Sequence, residues 1–424
     1  MNSTRSDAVR VTTLGSGVVV VTERMPDVRS VTTGVWIDVG SRDEDDNEAG
    51  ASHFLEHLAF KGTATRSARE IAETVDAMGG DMNAYTTKEY TAFHIRTLDE
   101  DAAEGLAILC DIVGAPSLRP DEVASEQRVI LEEINMRADE PDELMHELLH
   151  EALYPGHPLG RDIAGSADTV TAMSAGTIRA FHQRTYVPGC VVVASAGQVD
   201  HDLVVAQVES AMLLPDGVGR SARIGPGSPA ERLRIGESDT EQVHLGLALG
   251  GVDRYHPLRF ALGVVDHVLG GGMSSRLFQE IREARGLAYS VYSYRSPFAD
   301  TGFTGIGLGT APGHLLEVLD LVHKELERLR ADGLTADEMV RAKRSIRGGS
   351  AMALEDTGSR MARIGRTQLL MGYVPTLDEV LALTEAVTLE DCARVVELCL
   401  DQPRTLAMVG PVDADLLDGH PVLG

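Results

Sequence analysis

Apolar and polar positions change period in the same order twice along this chain. VTTGVWIDVGSR (31–42) and EQVHLGLALGGV (241–252) read as short strands, each followed by a helical segment. GCVVVASAGQVD (189–200) and RTLAMVGPVD (404–413) are apolar strands that both close on Gly-x-Val-Asp. SLRPDEVASEQRVILEEINM (117–136) and GLTADEMVRAKRSIRGGSAM (333–352) share a turn, an Asp-Glu helix start and an amphipathic run. The partners lie about 210–216 residues apart, half the chain, which is far longer than a solenoid unit and marks two homologous domains.

Within each half the order is strands, helix, helix, strand pair, long helix, further helices and a final strand. That mixture predicts an α+β class, with helices packed on a largely antiparallel sheet in each domain. A length of 424 residues also exceeds what one compact core usually holds. Between the halves, PDGVGRSARIGPGSPAERLR is rich in Gly, Pro and Ser and has no apolar period. The expected division is therefore 1–215 for the N-terminal domain, 216–232 for a linker and 233–424 for its C-terminal homologue.

Composition narrows the function classes. Hydrophobic residues make up 43% and charged residues 24%, as in soluble globular proteins, and no run is long enough to span a membrane. The opening MNSTRSDAVRVTTLGSG lacks the apolar core of a secretory signal, so a cytoplasmic location is expected. A net charge of −27 disfavours nucleic acid and anionic membranes as partners. Cys110, Cys190, Cys392 and Cys399 have no CxxC spacing, which argues for buried thiols rather than a cysteine zinc site.

Candidate chemistry lies in ASHFLEHLAFKGT (51–63). On a helix His53 and His57 are i,i+4 neighbours with Glu56 beside them, a spacing that lets two imidazoles hold one zinc. Phe54, Leu55 and Leu58 supply packing, and Gly62 a stop. Chance alone would produce His-x-x-carboxylate-His in roughly 7% of shuffled chains of this composition, so the motif needs a third ligand from another element. The helix beginning near Asp121 offers one. Glu126 and Glu133 are seven apart on one face with Val129 and Ile130 between them, whereas Glu132 points elsewhere. Carboxylates in an apolar stripe are costly unless paired or metal-bound, which makes Glu133 the expected third ligand and Glu126 the partner that orients a histidine. The bland alternative is a solvated charged face.

HFLEH followed 76 positions later by Glu133 resembles the inverted zinc signature of the pitrilysin and mitochondrial processing peptidase family. HFLEHLAFKGT, GGDMNAYTTKEYTAF, EQRVILEEI, HPLGRDIAGS and RLFQEIREARGLAYSV are similar to that family's segments, in its order, over nearly the whole chain. The resemblance implies one Zn2+ per chain, in the N-terminal domain, held by His53, His57 and Glu133, with Glu56 as the general base that activates water at the metal. It implies that Asn83, Ala84, Tyr85 and Thr86 form an edge strand to which an extended substrate adds, the alternative being an ordinary hairpin strand. It further implies that Arg282 and Tyr289 serve the substrate from the second half, unless they only complete a helix-to-strand corner.

The second half has GVVDH (263–267) in place of HFLEH, and Ala342 and Gly349 opposite Glu126 and Glu133, so it cannot build the same zinc site. LGGGMSSRL (269–277) resembles the family's glycine-rich segment near the substrate and lacks the Lys-Ser/Thr ending of a phosphate-binding loop. By resemblance the two domains close as a clamshell around a chamber, the chain forms a homodimer, and the activity is that of a zinc metalloendopeptidase acting on peptides or unfolded segments. The competing functions are a peptide-binding or assembly subunit of the same fold, and a processing peptidase dedicated to one leader peptide.

Overall fold

The computed structural model describes residues 9–227, 232–417 and 419–423; residues 228–231 of the expected linker, and the first eight residues of the chain, lie outside the described residues. The first half runs β1 (Val9–Thr13), β2 (Val19–Arg24), β3 (Ser30–Ile37), α1 (Ala51–Ala59), α2 (Ala68–Ala77), β4 (Asp81–Thr86) and β5 (Thr91–Leu98). It continues through α3 (Ala102–Gly114), α4 (Pro120–Ala138), α5 (Pro141–Leu153), α6 (Ala167–Ala172), α7 (Ala175–Thr185), β6 (Val191–Gly197) and α8 (His201–Ala211). The second half runs β7 (Leu233–Gly236), β8 (Val243–Gly250), α9 (Arg259–Leu269), a π-helical turn over Phe278–Glu283, β9 (Ala288–Pro297) and β10 (Gly302–Thr310). Then follow α10 (Leu315–Asp332), α11 (Ala336–Ala353), α12 (Thr357–Met371), α13 (Leu377–Glu385), α14 (Leu389–Leu400) and β11 (Thr405–Val409).

The first sheet has the order β1-β2-β6-β3-β5-β4 and is antiparallel except where β2 meets β6. The second has the order β7-β11-β8-β10-β9 and is antiparallel except where β11 meets β7. With β1 set aside, the two orders correspond strand for strand. The α+β class and the largely antiparallel sheets expected from the periodicity are thus present, and so is the repeat.

Both faces of the first sheet are covered, and β3, buried from Val31 to Ile37, shows how. Val35 and Ile37 point into a core shared with α1, α3 and α7, while Trp36 points the opposite way into a smaller cluster with Met361 and Ile364 of α12. Grouped by proximity, the chain forms two compact units, and neither is continuous in sequence. The first comprises 1–134, 162–222 and 351–376; the second comprises 135–161, 223–350 and 377–424. The chain passes from one to the other inside the expected linker, at 222/223, but two further segments depart from a division into continuous halves. Helix α5 packs on β7, β8 and β11 in the second unit, and α12 packs on β2, β3 and β6 in the first.

Cys110, Cys392 and Cys399 are buried and Cys190 is half-buried, all as free thiols. Among the described residues no helix is long and apolar enough to cross a membrane.

Close approach fixes α12 on its sheet. A Cβ added to Gly365 would lie 2.2 Å from Trp36 Nε1, and one added to Gly34 of β3 would lie 2.6 Å from Met361 Sδ. Gly365→Leu is expected to lift α12 from Trp36 and lower stability by about 1–3 kcal/mol, as overpacking does. Trp36 is the chain's single tryptophan, so urea unfolding followed by its emission reads both effects: an earlier midpoint and a red-shifted native spectrum.

Candidate metal centre

Helix α1 has nine residues, too few to be stable alone, and its surroundings hold it. Its first turn is capped from outside: Glu44 Oε2 accepts from Gly50 N at 2.8 Å and Oε1 accepts from Ser52 N at 2.7 Å. The loop that carries Glu44 is clasped to the β4–β5 connection by a buried ion pair, Arg42 Nη1 to Glu89 Oε1, at 2.6 Å. Gly50 has a φ of 96° and Gly165 a φ of 80°, and a Cβ on either would fall within 2.4 Å of a carbonyl oxygen of the other's loop. The AGS of HPLGRDIAGS therefore abuts the start of α1.

With the helix held in this way, His53 and His57 project from one face with ring centroids 4.6 Å apart. Glu133 of α4 meets both: Oε1 lies 3.7 Å from His53 Nε2, and Oε2 lies 3.6 Å from His57 Nε2. One ligand atom from each of the three residues falls within 4.8 Å of the other two. A tetrahedral zinc with bonds near 2.1 Å separates its ligands by about 3.4 Å, so two nitrogens and a carboxylate at these spacings fit such an ion.

The next contacts orient the cluster. Glu126, buried two turns before Glu133, places Oε1 3.2 Å from His57 Nδ1 and Oε2 2.7 Å from Lys61 Nζ. A hydrogen on Nδ1, donated to Glu126, leaves the Nε2 lone pair directed toward Glu133. Glu56 is also buried, and Thr86 of β4 donates its hydroxyl to Glu56 Oε2 at 2.5 Å. Tyr186 is buried nearby; burial first, and then the charges of Glu56 and Glu44, push its phenol up, so it stays neutral.

Of the residues singled out from sequence, His53, Glu56, His57, Glu126 and Glu133 come together, and Glu132 is exposed as expected. Val129 does not lie on the buried face: it is 47% exposed while Ile130 is fully buried, because the buried stripe of α4 runs through Val123, Glu126 and Ile130. Gly62 is not the helix stop; α1 ends at Ala59, and Gly62, with a φ of 110°, bridges to Ser67 beyond it. Asn83, Ala84, Tyr85 and Thr86 lie on β4, the outermost strand of the first sheet. Arg282 and Tyr289 belong to the second unit, Arg282 in the π-helical turn and Tyr289 opening β9. There the guanidinium carbon lies 4.8 Å from the Tyr289 ring centroid, and Tyr289 is 82% exposed. Sequence reasoning missed Glu44, Lys61 and the Thr86 hydroxyl contact. The first two are charges nine residues before and four residues after HFLEH, a proximity that signals little by itself.

A helix-borne histidine pair completed by a glutamate from a second helix, in one of two homologous units of which the other lacks the ligands, defines the zinc-protease class. Two family models divide the chain: Insulinase (Peptidase family M16) matches residues 19–167, and Peptidase M16 inactive domain matches 172–346. The chain is 43% identical to an uncharacterized zinc protease of Streptomyces coelicolor over 95% of this chain and 90% of that one. It is 39% identical to the uncharacterized zinc protease YmxG of Bacillus subtilis, over 94% and 97%. Among solved structures, a peptidase M16 inactive domain from Pseudomonas fluorescens superposes with a TM-score of 0.88 at 25% identity, covering 96% of this chain and 99% of that one. A protease from Helicobacter pylori gives 0.85 at 22% identity, over 95% and 99%, a likeness of fold. The chain belongs to peptidase family M16.

Removing the Glu44 carboxylate leaves two buried N–H groups at the start of α1, those of Gly50 and Ser52, without their acceptor. Glu44→Ala is expected to cost about 1–3 kcal/mol, and Glu44→Gln, which keeps one acceptor oxygen, less; urea titration by circular dichroism orders the two.

Proposed function

We propose that the protein is a zinc-dependent endopeptidase that hydrolyses peptides or unfolded segments, with one ion held by His53, His57 and Glu133 of the first unit. The observation that carries this is the meeting of those three residues within 4.8 Å, with the carboxylate of Glu56 on the same helix. Bound there, zinc supplies Lewis acidity, which makes water more acidic and a peptide carbonyl more electrophilic. Glu56 is the proton carrier. Its carboxylate takes a proton from the attacking water and returns it to the leaving amine, while the Thr86 hydroxyl fixes Oε2 and so the plane of the group. Glu126 keeps the hydrogen of His57 on Nδ1, and Lys61 offsets the charge that Glu126 would otherwise bury.

Substrate selection follows from β4. An edge strand offers backbone donors and acceptors to an added strand, and Thr86 ties that strand to Glu56, so a bound peptide must be extended. A segment free to extend along the edge is most available in peptides and unfolded chains, which favours these as substrates, and in this proposal cleavage takes place inside a closed chamber. In the same proposal Arg282 and Tyr289 contact the substrate, and the chain works in the cytoplasm as a homodimer. The complete ligand set favours this enzyme over a peptide-binding subunit of the same fold.

Quenched peptides of graded length, assayed together with zinc content, test the proposal. Glu56→Gln is expected to retain zinc and lose at least a hundredfold in kcat, the size of a general-base contribution. Zinc-loaded wild type that cleaves no peptide would remove the enzymatic reading. Glu133→Gln is expected to lose both zinc and activity; one zinc per chain in that variant would strike Glu133 from the ligands. For Glu126→Gln, zinc affinity measured by competition with a chelator should fall roughly 10–100-fold, as for other groups that orient a ligand histidine.

A further inference from the structure

Gly263, Asp266 and His267 of α9 correspond in the repeat to His53, Glu56 and His57, and they line a cavity of about 620 Å³ within the second unit. Much of its wall is apolar, with Leu262, Phe303, Ile346 and Val380 contributing. Its single lining carboxylate, Asp266, is engaged: Oδ1 accepts the Ser293 hydroxyl at 2.6 Å, and Oδ2 lies 3.3 Å from Arg295 Nε. The hairpin register explains where Arg295 comes from. Thr86 pairs with Thr91 and Pro297 with Gly302 at the closed ends of the two hairpins, so counting back two residues sets Arg295 where the first half has Ala84.

Gly263 makes room for this arginine, since a Cβ there would lie 3.2 Å from Arg295 Nη1. Where the first unit gathers side chains that could hold a cation, the second brings a cation of its own. A further guanidinium, Arg259, lies 4.5 Å from the Phe260 ring centroid and donates to the His256 carbonyl at 3.2 Å. Among the described residues no carboxylate pairs with it. Arg254 also lines the cavity. The guanidiniums of Arg259 and Arg295 against the one carboxylate of Asp266 make this wall of the cavity cationic in a chain whose net charge is −27.

We propose that this cavity binds a carboxylate carried on an apolar body, with Arg259 and Arg295 holding the carboxylate and Leu262, Ile346 and Val380 the body. Its volume suits a ligand of modest size, and planar guanidiniums match the carboxylate's geometry. Two sources offer the same chemistry: the C-terminal residue of a peptide with a leucine-like side chain, and a free medium-chain carboxylic acid.

Calorimetric titration of the full chain with octanoate, N-acetyl-leucine and N-acetyl-leucinamide tests the assignment. At least one of the two acids should bind, the amide should bind at least tenfold more weakly than N-acetyl-leucine where that acid binds, and Arg259→Gln should weaken acid binding roughly tenfold. Val380→Trp, which fills the cavity, provides a second variant and should abolish binding; circular dichroism confirms that each variant is folded. Preference for N-acetyl-leucine supports the peptide source, and preference for octanoate the free acid. Absence of binding by both acids at tens of millimolar, equal binding of N-acetyl-leucine and its amide, or unchanged affinity in a folded variant would overturn the proposal. The readout is equilibrium binding, so it stands or falls independently of peptide hydrolysis.

Discussion

The two hydrogen bonds that the Glu44 carboxylate accepts from Gly50 N and Ser52 N, at the start of α1, are what the candidate centre hangs from. Eight of the nine residues of that helix are buried, and they include His53 and Glu56, whose polar atoms are costly to remove from water. A helix so short and so loaded persists only if its free N–H groups find acceptors and its ends are pinned. Glu44 supplies the acceptors, and the Arg42–Glu89 pair pins the loop that carries it to the hairpin formed by β4 and β5. Removing one partner of a buried pair of this kind typically costs about 3–5 kcal/mol, so the clasp is stiff. One chain of contacts thereby runs from the edge strand through the loop to the metal-binding face.

The two units solve the same problem of buried charge differently. In the first, Glu126 and Glu133 enter the interior because two histidines and Lys61 meet them. In the second, α11 has a buried Ala342 and an open Gly349 at the corresponding places, and Asp266 is balanced by Arg295. The ligand set was therefore not simply deleted from the second unit. A partly exposed guanidinium, that of Arg295, stands beside Asp266, and the space around them forms the cavity.

Much of this was legible from spacing. The i,i+4 histidines and the i,i+7 glutamates specify faces of helices whatever those helices pack against, and the repeat exposed the fold class because strand and helix periods recur in order. Val129 shows the limit of the same arithmetic: three and four residues from its flanking glutamates, it falls just outside a stripe whose line is set by packing. Glu44 and Lys61 were hidden because a charged residue near a motif is usually solvated, and only the fold turns it inward. The exchange of α5 and α12 was hidden for a deeper reason. An amphipathic helix records that one of its faces will be covered but carries no local record of which sheet will cover it.

That exchange bears on the order of events during synthesis. One face of the first sheet, with Val21, Trp36, Ala92 and Val192, is covered by α12, which spans Thr357–Met371. A ribosome that has delivered everything else in the first unit must still translate roughly 150 residues more, about 8–30 s of elongation, before the cover exists. Throughout that interval an apolar sheet face stands open on a nascent chain, and the metal-binding half is finished only when the chain is nearly complete.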